Sequence, residues 1–480
     1  MKLYNTLGKR LMKFESIKSG EAGLYTCGPT AYFYAHIGNM RTNITNDVLK
    51  RALRHYGLRV RHVMNITDVG HNVGDEEAGE DKIRVRAKAE HKTVYDIIGF
   101  YTDAFMQDLM RLNIIMPDVV AKASDHIEPM LRLIDTLDKK GFLYKAANGI
   151  YFDTSKSRNY GELIGVSFKQ MLKEQRAGAR VERPGDLRNI TDFVVWRFAK
   201  EGEKDLVWDT KYGRGFPGWH IECSAMSMMY LGETLDLHAG GMDLIPVHHT
   251  NEIAQSEAAT GKKFVNYWVH GALLTVNGQK MSKSLMNIYA IEDLIAKGFK
   301  PLSYRYMALN THYRSMMNFS FDSLKEAEAA LGTIYMFVSR ISNIDRKGDA
   351  SKEFVGRMQG LQKQFFDSVY DDLDMPIAVA RMHDLVGLVN KRNSDGSLTK
   401  KEAKIAIDIM LDFDSVLGLD LEEHLMTKIT KEERQLILDR EEARLSRDFE
   451  KADRIRKTLR EKHGIVVEDT SEGSLWYRAA

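Results

Sequence analysis

The stretch Leu24-Tyr25-Thr26-Cys27-Gly28-Pro29-Thr30, followed by His36-Ile37-Gly38-Asn39, decides the reading of the fold. Leu24 to Cys27 is a short strand-forming run, and Gly28-Pro29-Thr30 breaks it. Beyond Gly38, apolar residues at Ile44, Val48, Ala52 and Leu53 keep helical spacing until Gly57. Val60 to Ile66 is a second strand-like run, closed by Asn65-Ile66-Thr67-Asp68. Strand, glycine turn, helix and strand together open a doubly wound α/β domain of Rossmann-like type.

Outward from this opening, the texture changes over residues 121–200. A helix over Ile127–Lys139 precedes Gly149-Ile150-Tyr151-Phe152-Asp153 and a polar, Gly/Arg-rich stretch to Arg188. The expectation is an insertion dividing the α/β domain into a first half, 1–120, and a second half, 201–290. The core pattern resumes at Gly218-Trp219-His220-Ile221-Glu222-Cys223 and runs through Tyr267-Trp268-Val269-His270-Gly271. A junction over 291–325 leads to a helical-bundle domain over 326–420. A small mixed α/β module over 428–480 closes the chain, with one charged helix expected from Lys431 to His463 and then a strand and turn.

The 480 residues suffice for two to four domains. The composition, 44% apolar and 28% charged, is that of a water-soluble globular protein. A net charge of only +2 requires any polyanion to be met by local patches. Met1 to Arg10 lacks the apolar segment of a signal peptide, and no apolar run approaches the roughly 20 residues that span a bilayer. The expected location is the cytoplasm. With two cysteines, Cys27 and Cys223, the choices are buried thiols or a metal site rather than a disulfide framework.

Downstream, Lys280-Met281-Ser282-Lys283-Ser284 answers His36-Ile37-Gly38-Asn39. Adenylation of a carboxylate needs no general base, because the nucleophile is already ionised at pH 7. It needs positioning and charge stabilisation at the α-phosphate and departing pyrophosphate. His36 can donate to phosphate, Gly38 permits close backbone approach, and the following helix points its positive end at the anion. Lys280 and Lys283 supply ammonium groups, with Ser282 and Ser284 as hydroxyl donors. The pair resembles the split ATP site of the class I aminoacyl-tRNA synthetases, in which Pro29 and His36 to Asn39 correspond to the first motif. Asn39 stands where many of those enzymes carry His.

A second constellation joins Cys27, Cys223 and His248-His249-Thr250-Asn251-Glu252. Cysteine, histidine and glutamate are all zinc ligands, and four make a tetrahedral shell. Spacing alone does not choose between His248 and His249 as the partner of Glu252.

The blocks Tyr25-Thr26-Cys27-Gly28-Pro29-Thr30, Pro217 to Met226, His248 to Gln255 and Trp268-Val269-His270 resemble the cysteinyl-tRNA synthetases. So do Asp371-Asp372-Leu373-Asp374-Met375-Pro376 and the tail around Asp439–Arg444 and Asp448–Arg456, so the likeness runs along the whole chain. It implies Cys27, Cys223, His248 and Glu252 as ligands of one Zn²⁺, and Trp219 and His238 as residues shaping the substrate pocket. It also implies L-cysteine, ATP with Mg²⁺ and tRNA(Cys) as substrates, a monomer, and contact of 291–325 and 326–420 with tRNA. The 428–480 module would read the anticodon, with Trp476 and Arg478 as stacking and hydrogen-bonding candidates. The resemblance explains why zinc is wanted. Cysteine and serine are near-isosteres, and a shape-based pocket separates such pairs by only about 1–3 kcal/mol. Zinc prefers soft sulfur, so no proofreading domain is expected, and the 121–200 insertion is too short and charged to be one.

The helix over 431–463 carries eleven Lys/Arg and nine Asp/Glu, a mixed surface rather than a polybasic arm. Two other readings share part of the pattern. A ligase joining cysteine to an amino sugar lacks a terminal module, and a non-catalytic RNA-binding paralogue is expected to have lost site residues. The tail beyond 420 and the complete residue set disfavour both.

Overall fold

The computed structural model describes residues 1–70, 82–166, 170, 186–282, 285–425, 430–470 and 473–478. They form two compact units. The first comprises Met1–Lys297, Tyr313–Phe319 and Tyr370–Leu373; the second comprises Gly298–His312, Ser320–Val369 and Asp374–Ala480.

The first unit is built on a five-stranded sheet in the spatial order Val265–Gly271, Leu235–Gly241, Glu21–Thr26, Arg59–Ile66 and Val119–Lys122. Every pairing is parallel. Numbered by sequence, the order is 3-2-1-4-5, the doubly wound arrangement implied by the strand–turn–helix–strand opening. Its switch point lies between Glu21–Thr26 and Leu235–Gly241, where such sheets bind ligands beyond their carboxyl ends. Near-continuous burial along these strands reflects cover on both faces: all seven residues of Leu235–Gly241 are buried.

Between the third and fourth of these strands comes the helix Ile127–Lys139, and then an antiparallel sheet. That sheet is ordered Leu143–Ala146, Gly149–Phe152, Phe193–Phe198 and Gly215–Pro217. Phe152, Phe193 and Trp196 from this sheet share one apolar core with Tyr25, Val63 and Trp268 of the parallel sheet.

The helix Ile37–His55 starts in a reciprocal cap. His36 Nδ1 accepts from Asn39 N–H at 3.1 Å, and Asn39 Oδ1 accepts from His36 N–H at 3.1 Å. This satisfies two backbone donors that the first turn would otherwise leave open.

The second unit is helical through Phe321–Ser342, Lys352–Val369, Met375–Ser394 and Lys400–Leu417. The charged terminal segment differs from the single helix expected: it is two helices, Lys431–Leu445 and Phe449–His463. Arg447 turns the chain with φ at 62°, and Asp448 restarts it by accepting from Lys451 N–H at 3.0 Å. The break lets Ile437 and Leu459 close on Ile465 and Val467 in a small separate core. A straight helix would hold those two residues about 33 Å apart, at 1.5 Å per residue.

His62 is buried beside Thr26, whose Oγ1 lies 2.8 Å from His62 Nε2. Burial drives its imidazole down to about 3. The folded state therefore holds His62 neutral while the unfolded chain protonates near 6.5. Its contribution is intact above that value and is lost as pH falls toward the folded value. His62→Gln should flatten the acid side of the stability profile. Between pH 6 and 4.5, wild type should lose up to about 1.4 kcal/mol per pH unit more than the variant, read by urea unfolding.

Candidate active site

At the switch point the sheet presents one row of side chains. Tyr25, His238 and Trp268 are register partners, and Gly240 pairs with His270 one step further along the same face. Cys27 follows the first strand. Cys223 lies in the second turn of the helix Trp219–Leu231. His248 and His249 end a π-helical turn, Ile245–His249, which continues into the helix Thr250–Thr260 carrying Glu252. Pro246 sits at the start of that turn, and Thr250 Oγ1 donates to Ile245 O at 2.7 Å.

The two helices are pinned together by Gln255, whose Nε2 donates to His220 O at 2.5 Å and to Ser224 Oγ at 2.7 Å. Cys223 is thereby turned toward Glu252. Gly240 is required for close approach, because a Cβ there would lie 2.9 Å from His249 Cε1 and 3.0 Å from Leu244 Cδ1.

The ligating atoms of Cys27, Cys223, His248 and Glu252 lie within 4.8 Å of one another, as do those of Cys27, His238, His249 and Glu252. Hydrogen bonding distinguishes the two sets. His249 has both ring nitrogens engaged, Nδ1 with His270 Nε2 at 2.7 Å and Nε2 with Cys27 Sγ at 3.4 Å. His238 Nε2 is held by Glu252 Oε2 at 3.1 Å. His248 instead places Nδ1 against His220 Nδ1 at 3.0 Å. Its Nε2 lies 3.0 Å from Glu252 Oε1 in a buried ion pair, and neither atom has another hydrogen-bond partner among the described residues. This buried imidazole and carboxylate beside two sulfurs are the donor types of a tetrahedral S₂NO zinc site.

The four side chains are electrostatically linked. Burial opposes ionisation of the Cys223 thiol, but its bond with Cys27 and the His248 charge bring it down to about 6. The proton shared with Cys223 and burial push Cys27 well up. Glu252, resisted by burial, is drawn down to about 2 by His238 and His248. His248, also resisted by burial, is raised to about 10 by Glu252 and Cys223.

A cleft of about 390 Å³ opens from this cluster. Its walls include Cys27, Pro29, His36, Asn39, Trp219, Cys223 and His248. Burial lowers the His36 imidazole. With Nδ1 accepting from the helix cap, neutral His36 carries its proton on Nε2, the nitrogen left to donate.

The downstream motif arrives beside this turn. Ile37 N–H donates to Tyr289 O at 2.8 Å, and a Cβ on Gly38 would lie 2.7 Å from Met281 Cε. Asn287 is tied to the start of this motif, accepting from Ser282 N–H at 2.8 Å and donating to Lys280 O at 3.2 Å. Lys280 is exposed at the end of a short strand, Gln279–Lys280. Lys283 and Ser284 lie outside the described residues.

Trp219 stands in the cleft wall, its ring 4.2 Å from that of His248. His238 does not line the cleft. It is fully buried, stacked on Trp268 at 4.6 Å, and holds Glu252 from behind. Trp476 and Arg478 lie on the second strand of the terminal hairpin, opposite Val467 and Ile465. Their side chains lie outside the described residues. The sequence left His249 open as the partner of Glu252 and gave His270 no role beyond its block with Trp268; His249 lies in the π-helical turn and His270 on the strand Val265–Gly271.

The parallel order, the split motif pair at its switch point and the buried cysteine–histidine–glutamate cluster define a class I aminoacyl-tRNA synthetase. Residues 13–329 match the family model described as tRNA synthetases class I (C) catalytic domain. The chain belongs to the cysteine–tRNA ligase family. It is 40% identical to the cysteine–tRNA ligase of Treponema denticola, with 99% of each chain covered. It is also 40% identical to cysteine–tRNA ligase 1 of Burkholderia lata, covering 98% of this chain and 95% of that one. A solved structure with the same fold is Mycobacterium tuberculosis methionyl-tRNA synthetase in complex with methionyl-adenylate. Its TM-score is 0.59 at 15% identity, covering 85% of this chain and 92% of that one.

Gly240→Ala should force His249 and Leu244 out of place. A loss of about 1–3 kcal/mol in stability is expected by denaturant unfolding, as for other overpacked cores.

Proposed function

We infer that this chain activates L-cysteine with ATP and transfers it to the 3′ end of tRNA(Cys). The observation that carries the reading is the meeting of the cysteine–histidine–glutamate cluster with the His36 turn in one cleft. A ligand reaching from one to the other would place an amino-acid side chain at the cluster and a polyphosphate at the helix N-terminus.

Cys27, Cys223, His248 and Glu252 are proposed to hold zinc, with His238 fixing the orientation of Glu252 from the far side. A zinc ion there would supply a soft Lewis-acidic centre that favours a thiolate over a hydroxyl. Trp219 would close over the substrate side chain. His36 Nε2 and the first-turn amides of Ile37–His55 would receive phosphate oxygens, and Lys280 and Lys283 would neutralise charge on the departing pyrophosphate. Mg²⁺ would accompany ATP. The ionised cysteine carboxylate attacks the α-phosphorus and pyrophosphate leaves. The terminal ribose hydroxyl of tRNA then attacks the activated carbonyl and AMP departs.

The module at 428–480, with Trp476 and Arg478, is assigned to the anticodon, and 291–325 and 326–420 to the rest of the tRNA. No helix among the described residues is long and apolar enough to cross a membrane. Two cysteines committed to a metal rather than a disulfide fit a reducing compartment, and we read the enzyme as a cytoplasmic monomer.

Cys223→Ser should cut bound zinc below one per chain and raise serine activation relative to cysteine by 10²-fold or more, measured by metal analysis and amino-acid-dependent pyrophosphate exchange. Retained selectivity without zinc would refute the metal's role. Lys280→Ala and Lys283→Ala should each slow adenylate formation by about 10²-fold, the usual cost of losing one preorganised charge donor. Cysteine binding should stay within a few-fold. A variant that mainly weakens cysteine binding would overturn the phosphate role.

A further inference from the structure

At the mouth of the cleft, four aromatic rings come from two elements. Phe33 and Tyr34 lie on the segment between the first strand and His36, and both line the cleft. Phe100 and Tyr101 lie on the helix Val94–Arg111, whose start is fixed by a reciprocal Thr93–Asp96 cap. Tyr101 is buried beneath, its ring centroid 5.2 Å from Tyr34 and 5.1 Å from Phe100, both edge to face. Tyr34 and Phe100, 6.0 Å apart, remain 38% and 46% exposed.

Two cations rim the rings. The Arg86 guanidinium lies over Phe33 at 5.1 Å, and Lys92 Nζ lies over Phe100 at 5.1 Å. The carboxylate among them, Glu90, is committed to Lys92 at 2.9 Å, to the Tyr101 hydroxyl at 3.0 Å, and to Arg86. Among the described residues the rim therefore sets Arg86 and Lys92 beside Glu90, with the Asp96 carboxylate also acting on Lys92.

We propose that the Tyr34–Phe100 face is the platform on which the unpaired 3′-terminal nucleotides of tRNA stack as the terminal ribose enters the cleft. This rests on the reading of the chain as a tRNA ligase. Exposed aromatic faces beside cationic groups suit single-stranded nucleic acid, because every base offers a π-face and every linkage an anion. Continuity with the cleft selects the 3′ strand over other tRNA segments, since only that end must reach the activated carbonyl. An apolar partner surface would gain nothing from Arg86 and Lys92, and the rings are held in place before any ligand arrives, which lowers the cost of ordering on binding.

The test uses full-length zinc-loaded enzyme with Phe100→Ala and Phe100→Trp, because Phe100 lies outside the cleft wall. The first readout is cysteine-dependent pyrophosphate exchange, which needs no tRNA. The second is single-turnover transfer from enzyme-bound cysteinyl-adenylate to tRNA. The third is fluorescence of tRNA carrying 2-aminopurine in place of its terminal adenine. The expected result for Phe100→Ala is exchange within two-fold of wild type, transfer slowed five-fold or more, and loss of the 2-aminopurine quench. Phe100→Trp should restore both transfer and quench.

Equal losses in exchange and transfer would make the rings a structural support and overturn the proposal. Unchanged transfer and quench would overturn it directly. A change in oligomeric state with normal transfer would assign the face to a second copy of the chain instead. Failure of wild type to charge tRNA at all, with exchange intact, would refute the underlying function rather than the platform.

Discussion

Glu252 is fully buried, and a carboxylate removed from water must be met by charge or hydrogen-bond donors from several directions or lose its ionisation. Here the partners come from elements far apart in sequence. His248 approaches from the adjoining turn and His238 from a central strand. Cys27 and Cys223 complete the group from the first strand and a neighbouring helix. None of these positions is independent of the sheet order, because only the switch point brings the ends of Glu21–Thr26 and Leu235–Gly241 side by side. The fold's topology and the local electrostatics are therefore one constraint: the strands must cross where they do for the buried charges to find one another.

The two halves of the site are built from opposite physical materials. The half assigned to the amino acid is buried, close-packed and aromatic, with Trp268, His238, His249 and His270 in mutual ring contact. Such a surface gives a small side chain little freedom and keeps water from competing for a soft ligand. The half assigned to the nucleotide is a capped helix N-terminus and the Lys280–Ser282 segment tied by Asn287. A polyphosphate has to enter hydrated and leave as pyrophosphate, so the exposed Lys280 ammonium and backbone amides serve it better than a closed pocket.

Much of this was legible in the residues. The strand–turn–helix–strand opening gave away the doubly wound sheet because glycine breaks and periodicity are local signals. Cys27, Cys223, His248 and Glu252 were proposed as a metal set from residue type and family likeness, with His249 left open by spacing, and the structure gathers these side chains in one cluster. What separates the two histidines is long-range: His249 is occupied by His270 and Cys27, and no local pattern reports that. His238 looked like a pocket residue because of its motif, yet register with Tyr25 and Trp268 puts it behind the carboxylate. The break at Arg447 escaped notice because charged residues with good helix propensity run through it, and only the need to close a core around Leu459 folds the segment back.

The inserted antiparallel sheet gains a meaning from this arrangement that its composition did not suggest. Gly218 N–H donates to Val195 O at 3.1 Å, and a Cβ at Gly218 would lie 2.0 Å from Val194 O. The first turn of the helix Trp219–Leu231 is thus seated directly on the insertion's third strand. That helix carries both Trp219 in the cleft wall and Cys223 in the cluster. A shift of even half an ångström at Gly218 would move a ring and a sulfur together. Discrimination between sulfur and oxygen by a metal depends on a fully preorganised donor set, because a loose one would accept water or a hydroxyl in place of thiolate. The insertion is therefore the buttress that holds Trp219 and Cys223 in position relative to the sheet.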